Sequence, residues 1–360
     1  MMRHSKSVLF IAILLLSTQI LCAKNSIGTK FFSADNPNIQ YTGRIDFSNP
    51  KLPKYWSPGV YVQAKFIGNN CKVILHDEVL YGNNHNYIEV AVDNQKPYRL
   101  QLKGKTDTIN ISKNLTVGAH ILTICKDTES GIGYLQFGGL ICQDLLPLPA
   151  KPKHKIEYIG DSITCGTGSD LSVVDCDKGQ WYDQHNAYLS YGPTSARSLN
   201  AQWVLSSVSG IGLIHSCCDM KMVMPQVFDK LNQRQDTIKW NFSKYQPDVV
   251  TICLGQNDGV QDSVKFTNAY ISFIKNIRSH YPAASIVCLT SPMGDFALTK
   301  ALKNYLTGIV KAVNQSGDKN VSKYFFSKRF MHGCGTHPDL AEHQVMAMEV
   351  STYIKKLKKW

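Results

Sequence analysis

From Ile156 onward, short apolar runs alternate with longer stretches of helical periodicity, and that alternation limits the possible folds more than any other feature. The runs are IEYIG, AQWVLSSVSG, DVVTICLG, SIVCLTS and KYFFSK, while residues 262–280, 299–315 and 339–356 carry the helical pattern. Strands apolar throughout must be covered on both faces, so this half predicts an α/β fold with a mainly parallel sheet flanked by helices. Upstream, as far as Asp144, the pattern is different. GVYVQAKFIG, CKVILHD, NYIEVAVD, YRLQLKG, HILTICKD and YLQFGGLIC are separated by Asn, Gly, Pro and Asp with no helical stretch between them. Short strands spaced in this way predict an antiparallel, jelly-roll-like β-sandwich. Pro147, Pro149 and Pro152 break any regular element at the junction, placing a domain boundary between residues 24–150 and 151–360.

A chain of 360 residues, 43% hydrophobic and 18% charged, can bury two cores and is too apolar to be disordered. Residues 1–23 open with MMRHSK and continue with VLFIAILLL, a run too short to span a bilayer comfortably. They predict a signal peptide, hence a secreted or periplasmic protein with no transmembrane segment. Leu21 is too bulky before Cys22 for lipoprotein processing, which argues against a lipid anchor. Ten cysteines follow, three before residue 150 and seven after it, so complete oxidation would require a bridge between the halves. Cys253 and Cys288 lie in apolar runs that suit buried thiols equally well. The net charge of +12 is dispersed; its densest run, Lys355, Lys356, Lys358 and Lys359, reads as a helix end rather than a nucleic-acid arm.

In sheets of this kind, sites form at the C-terminal ends of strands. The first strand ends in GDSITCG, placing Ser162 on a strand-to-helix turn where a hydroxyl is exposed beside free backbone N–H groups. A helix cap formed by Asp161 or Ser162 would explain the same residues. The second run ends in SSVSGIG, where Gly210 or Gly212 would let a backbone N–H approach a substrate oxygen, or simply make a turn. The third ends in LGQND, where the Asn257 amide could donate to an oxyanion or Asn-Asp could simply make a turn. His337 precedes Pro338, which fits the first turn of the last helix and leaves the imidazole on a loop as a base for Ser162.

These four blocks, in this order and each at a strand end or a late loop, resemble the SGNH, or GDSL-type, hydrolases over residues 156–360. With the preceding sandwich, including YTGRIDF and YWSPGVYVQAKFIG, the arrangement is similar to carbohydrate esterase family 2 across nearly the whole mature chain. The resemblance implies a serine esterase that removes acetyl groups from polysaccharides such as xylan or glucomannan; a monomer is expected, although sequence alone does not fix the oligomeric state. It makes Ser162 the nucleophile and His337 the base. The oxyanion hole would comprise the Ser162 and Gly210 N–H groups and the Asn257 side chain. No metal or organic cofactor is implied.

Triad-type relatives carry an acidic residue two or three positions before the histidine, where this chain has Gly335 and Cys334. Either a backbone carbonyl orients His337, or Asp295 substitutes from elsewhere. The stretch from Ser169 to Tyr191 reads as an insertion whose Trp181, Tyr182, Tyr188 and Tyr191 could stack on sugar faces or form a local core. His332, Cys334, His337 and His343 cluster in sequence, but their spacing matches no zinc pattern. Two rival functions remain: a catalytically inactive glycan-binding protein, and a lipid or thioester hydrolase on the same fold.

Overall fold

The computed structural model describes residues 28–111, 115–235 and 238–360. The expected signal peptide and Cys22 therefore lie outside the described residues. The second half contains five strands, β10 (His154–Gly160), β11 (Ala201–Ser207), β12 (Val249–Cys253), β13 (Ser285–Leu289) and β14 (Val321–Tyr324). They pair in parallel in the order β11-β10-β12-β13-β14. Alternate residues serve opposite faces. Val250, Ile252, Ile286 and Cys288 pack under α4 (Ser263–His280) and α5 (Phe296–Gln315), against Phe266, Tyr270, Leu302 and Ile309. Val249, Cys253, Val287 and Leu289 share the other core with α2 (Tyr191–Ser198) and α6 (Leu340–Lys358), including Met346 and Ile354. The flanked parallel sheet is thus as the alternation predicts. Its strand order reverses direction between β10 and β12, the position at which open α/β sheets leave a crevice. Lys355, Lys356 and Lys358 occupy the last turn of α6.

The first half forms an antiparallel sheet of nine strands: β1 (Lys30–Ser33), β2 (Ile39–Thr42), β3 (Lys54–Tyr55), β4 (Tyr61–Asp77), β5 (Tyr87–Val92), β6 (Tyr98–Gln101), β7 (Thr106–Asn110), β8 (Ala119–Lys126) and β9 (Leu135–Leu146). GVYVQAKFIG and CKVILHD turn out to be one 17-residue strand, β4. Its register against β9 shifts between Ile67 and Cys71, and Gly68 has φ of 111°. An irregularity of this kind bends a strand without ending it. Either side of it, Val62, Ala64 and Phe66, then Cys71, Val73 and Leu75, enter one core with Ile88, Leu122 and Phe137.

The two halves meet through polar and aromatic contacts. Arg44 is fully buried; its Nη2 donates to Glu157 of β10 at 2.9 Å, and its Nη1 to the carbonyls of Phe228 and Lys230. Tyr61 stacks on Trp203 with centroids 4.0 Å apart, while the Trp203 indole donates to Gly59 O at 2.9 Å. Among the described residues two disulfides form, Cys176–Cys334 and Cys217–Cys218, both within the second half. Cys71, Cys125, Cys142, Cys165, Cys253 and Cys288 are buried thiols, so complete oxidation, and the crossing bridge it would require, does not occur.

Candidate active site

Asp161, not Ser162, caps the helix after β10: its Oδ1 accepts from Ile163 N at 3.0 Å. Helix α1 (Ser162–Cys165) stops after one turn because Gly166 is left-handed at φ 74°, and a Cβ there would lie 2.2 Å from Asn186 O. Ser162 is left with its hydroxyl free to pair with histidine. Its Oγ–H donates to His337 Nε2 at 2.9 Å, and the His337 Nδ1–H donates to Cys334 O at 3.2 Å. Burial pushes His337 below the usual imidazole range, and hydrogen bonds to the Cys334 and Gly335 backbone oppose that shift. The ring is therefore neutral at neutral pH, the form that can accept the Ser162 proton.

Gly210, at φ 83°, and Asn257 line the cleft beside Ser162. Neither the Ser162 nor the Gly210 backbone N–H has an acceptor among the described residues. Gly212 does not share this role, since its N–H donates to Ser216 Oγ at 3.0 Å. The carboxylate of Asp258 gathers the N–H groups of Leu213, Ile214 and His215, so the third sequence block fixes the loop that carries the second. Asn257 Nδ2 donates to Ile211 O at 2.9 Å and, more weakly, to Asp161 Oδ2 at 3.3 Å. The longer bond is the weaker of the two.

Residues 41–152 match the family described as Carbohydrate esterase 2 N-terminal, and residues 158–321 match the GDSL-like Lipase/Acylhydrolase family. The structure of a family two carbohydrate esterase from Clostridium thermocellum in complex with cellohexaose aligns at a TM-score of 0.81. It is 32% identical, over 89% of this chain and 99% of that one. The chain belongs to carbohydrate esterase family 2. Cellulase/esterase CelE of Acetivibrio thermocellus is 34% identical over 338 residues, 91% of this chain; the chain spans 40% of the length of that protein. An acetylxylan esterase / glucomannan deacetylase of Cellvibrio japonicus is 26% identical over 98% of this chain and 99% of its own length.

In this family 2 chain the cleft over Ser162 has a volume of about 670 Å³, and loops from both halves wall it. Of the four insertion aromatics singled out above, only Trp181 lines it, with half its surface exposed. Tyr182, Tyr188 and Tyr191 are corrected to packing residues. Tyr182 fills a small core with Tyr87 and Ile132, Tyr188 sits under the Arg197 guanidinium, and Tyr191 is fully buried against Tyr158 and His343. Asp295 does not reach His337; its carboxylate caps α5 by accepting from Leu298 N at 2.8 Å. Pro338 stands one residue before the α6 cap, Asp339, rather than in the first turn. The His/Cys cluster disperses: His332 pairs with Glu342 at 2.5 Å, Cys334 is in a disulfide, and His343 is buried, its Nδ1 accepting from Tyr191 N.

Sequence reading missed the first domain's share of the site. Trp56, Tyr81 and Tyr134 form the opposite rim of the cleft, and Lys54 lies over the Tyr134 ring. Beneath them Glu129 crosses the interface. Its Oε2 accepts from Ser209 N at 2.5 Å, immediately before Gly210, and its Oε1 accepts from Arg234 Nη2 at 3.1 Å. The turn bearing Gly210 is thus held by a carboxylate from the other half of the chain. Nothing in the spacing of Glu129 marks it, because its partner lies 80 residues away.

Proposed function

We propose that the chain is a secreted esterase removing O-acetyl groups from polysaccharides such as xylan or glucomannan, through a Ser162–His337 pair with no carboxylate on the histidine. The 2.9 Å bond from Ser162 Oγ to His337 Nε2, on the floor of a cleft between two domains, carries this reading. The activities for which the Cellvibrio relative is named support the substrate class. So does the rim of Trp56, Tyr81, Tyr134 and Trp181, since aromatic faces suit sugar rings. Residues 1–23 support export.

In this mechanism Ser162 Oγ attacks the acetyl carbonyl carbon as its proton passes to His337 Nε2. The carbonyl oxygen becomes an oxyanion between the Ser162 and Gly210 N–H groups and the Asn257 amide. As the tetrahedral species collapses, Nε2 returns the proton to the departing sugar oxygen, leaving an acetyl group on Ser162. Water then loses a proton to His337, attacks the acetyl-enzyme and releases acetate, and Ser162 recovers its hydrogen. The Cys334 carbonyl accepts from Nδ1 throughout, fixing the tautomer that leaves Nε2 free.

Acetate release from acetylated xylan, acetylated glucomannan and an aryl acetate tests the proposal, with Ser162→Ala measured in parallel. The variant is expected to lose at least about 10⁴-fold in kcat. Acetate from neither protein, both being folded, would transfer support to a glycan-binding role; rising activity with longer acyl chains would favour a lipid or thioester hydrolase.

A further inference from the structure

Cys334 holds two positions at once. Its carbonyl is the acceptor for His337 Nδ1–H, and its sulfur is bonded to Cys176, 158 residues earlier in the insertion. Its own N–H donates to Gly168 O at 2.8 Å, in the loop that follows the Ser162 helix. Gly168, at φ +67°, leaves room for this packing: a Cβ there would stand 2.5 Å from Cys334 O. The next two residues, Gly335 and Thr336, are both left-handed, at φ 58° and 59°. A carboxylate orients an imidazole by charge over a range of positions. A single neutral carbonyl does so only where it is held in place.

We propose that the Cys176–Cys334 disulfide is the positioning element that takes over from the missing acidic residue, anchoring the carbonyl that orients His337. The proposal rests on the Ser162–His337 reading above. Neither cysteine touches substrate; both act through His337.

The test compares Cys176→Ser, Cys334→Ser and the double variant with the wild-type chain, using an aryl acetate. Each variant removes the same bridge, so all three are expected to lose about 10- to 100-fold in kcat, with KM within about twofold. A second readout is the acid limb of kcat/KM. Losing the carbonyl bond while burial persists removes an influence that raises the His337 pKa, so the limb moves to lower pH. Opening the pocket to water would move it upward instead. His185 and His343, the other histidines in electrostatic reach, are held neutral by burial and do not contribute to this limb. Wild-type kcat in folded variants, losses that add in the double variant, or a limb moving upward would overturn the proposal. Failure of every variant to fold would overturn it too, by making the bridge a support of the fold. Full activity in Ser162→Ala would instead sink the underlying mechanism, so the two failures are distinguishable.

Discussion

A serine that follows an aspartate at a strand end is ordinarily half of a helix cap, and here the two residues divide the work. Asp161 satisfies the helix and leaves the Ser162 hydroxyl to the histidine. That Ser162, Gly210, Asn257 and His337 share one cleft was legible because each ends a strand or precedes a proline, positions that sequence pattern marks directly. Tyr182 and Tyr191 were not, because only the packed structure shows what covers them. His337 must be neutral to accept a proton, and burial lowers its pKa, so kcat/KM should stay flat as pH falls past the ordinary histidine value of about 6.5 and decline only below it. A pH profile with a limb at or above that value would contradict the buried environment. Gly168→Ala should lower kcat by about tenfold or more by driving the Cys334 carbonyl off the imidazole. Gly317→Ala, at φ 112° with nothing within 4 Å, carries at least as much backbone strain and should leave kcat unchanged; equal losses in both would point to strain alone.

Among elements, the five strands and three long helices of the second half were found within a few residues, since buried parallel strands and amphipathic helices announce themselves by period. Helix α5 starts at Phe296, earlier than its apolar pattern suggests, because Asp295 caps it. The first sheet was harder to read. Gly68, Asn69 and Asn70 look like a turn, yet they lie within β4 and only shift its register. The connection between β8 and β9, short and unremarkable in sequence, carries Glu129 to the Ser209–Gly210 turn. Glu129→Ala is expected to lower kcat about 10- to 100-fold, less than removing an oxyanion donor outright, with little change in KM. Steady-state kinetics on the folded variant decide this, and an unchanged kcat would show that Asp258 alone holds the turn.

At the scale of the molecule, the interface is built from groups that neither half can satisfy alone. Arg44 has its buried partners at Glu157, Phe228 and Lys230, all in the second half. Arg44→Ala should destabilise the chain by about 3–5 kcal/mol, since it strands the Glu157 carboxylate beneath a closed surface. Urea unfolding measures this, and a loss under about 1 kcal/mol would mean that water reaches Glu157. The separate architectures of the halves were legible from composition and period. Their mutual dependence was not, because no local pattern links residue 44 to residue 157.

Arg44 also bears on how the chain is made. Synthesis proceeds from the N-terminus, and domains generally settle as they emerge. Here the guanidinium must wait in water until residue 230 has been added, because its last carbonyl acceptor belongs to Lys230. Until residues 203 and 209 are added, the nascent first sheet likewise keeps Tyr61 without the indole that will cover it and Glu129 without the turn it will grip. Docking of the halves is therefore a late event in biogenesis, and the hydrolytic centre comes into being with it rather than before.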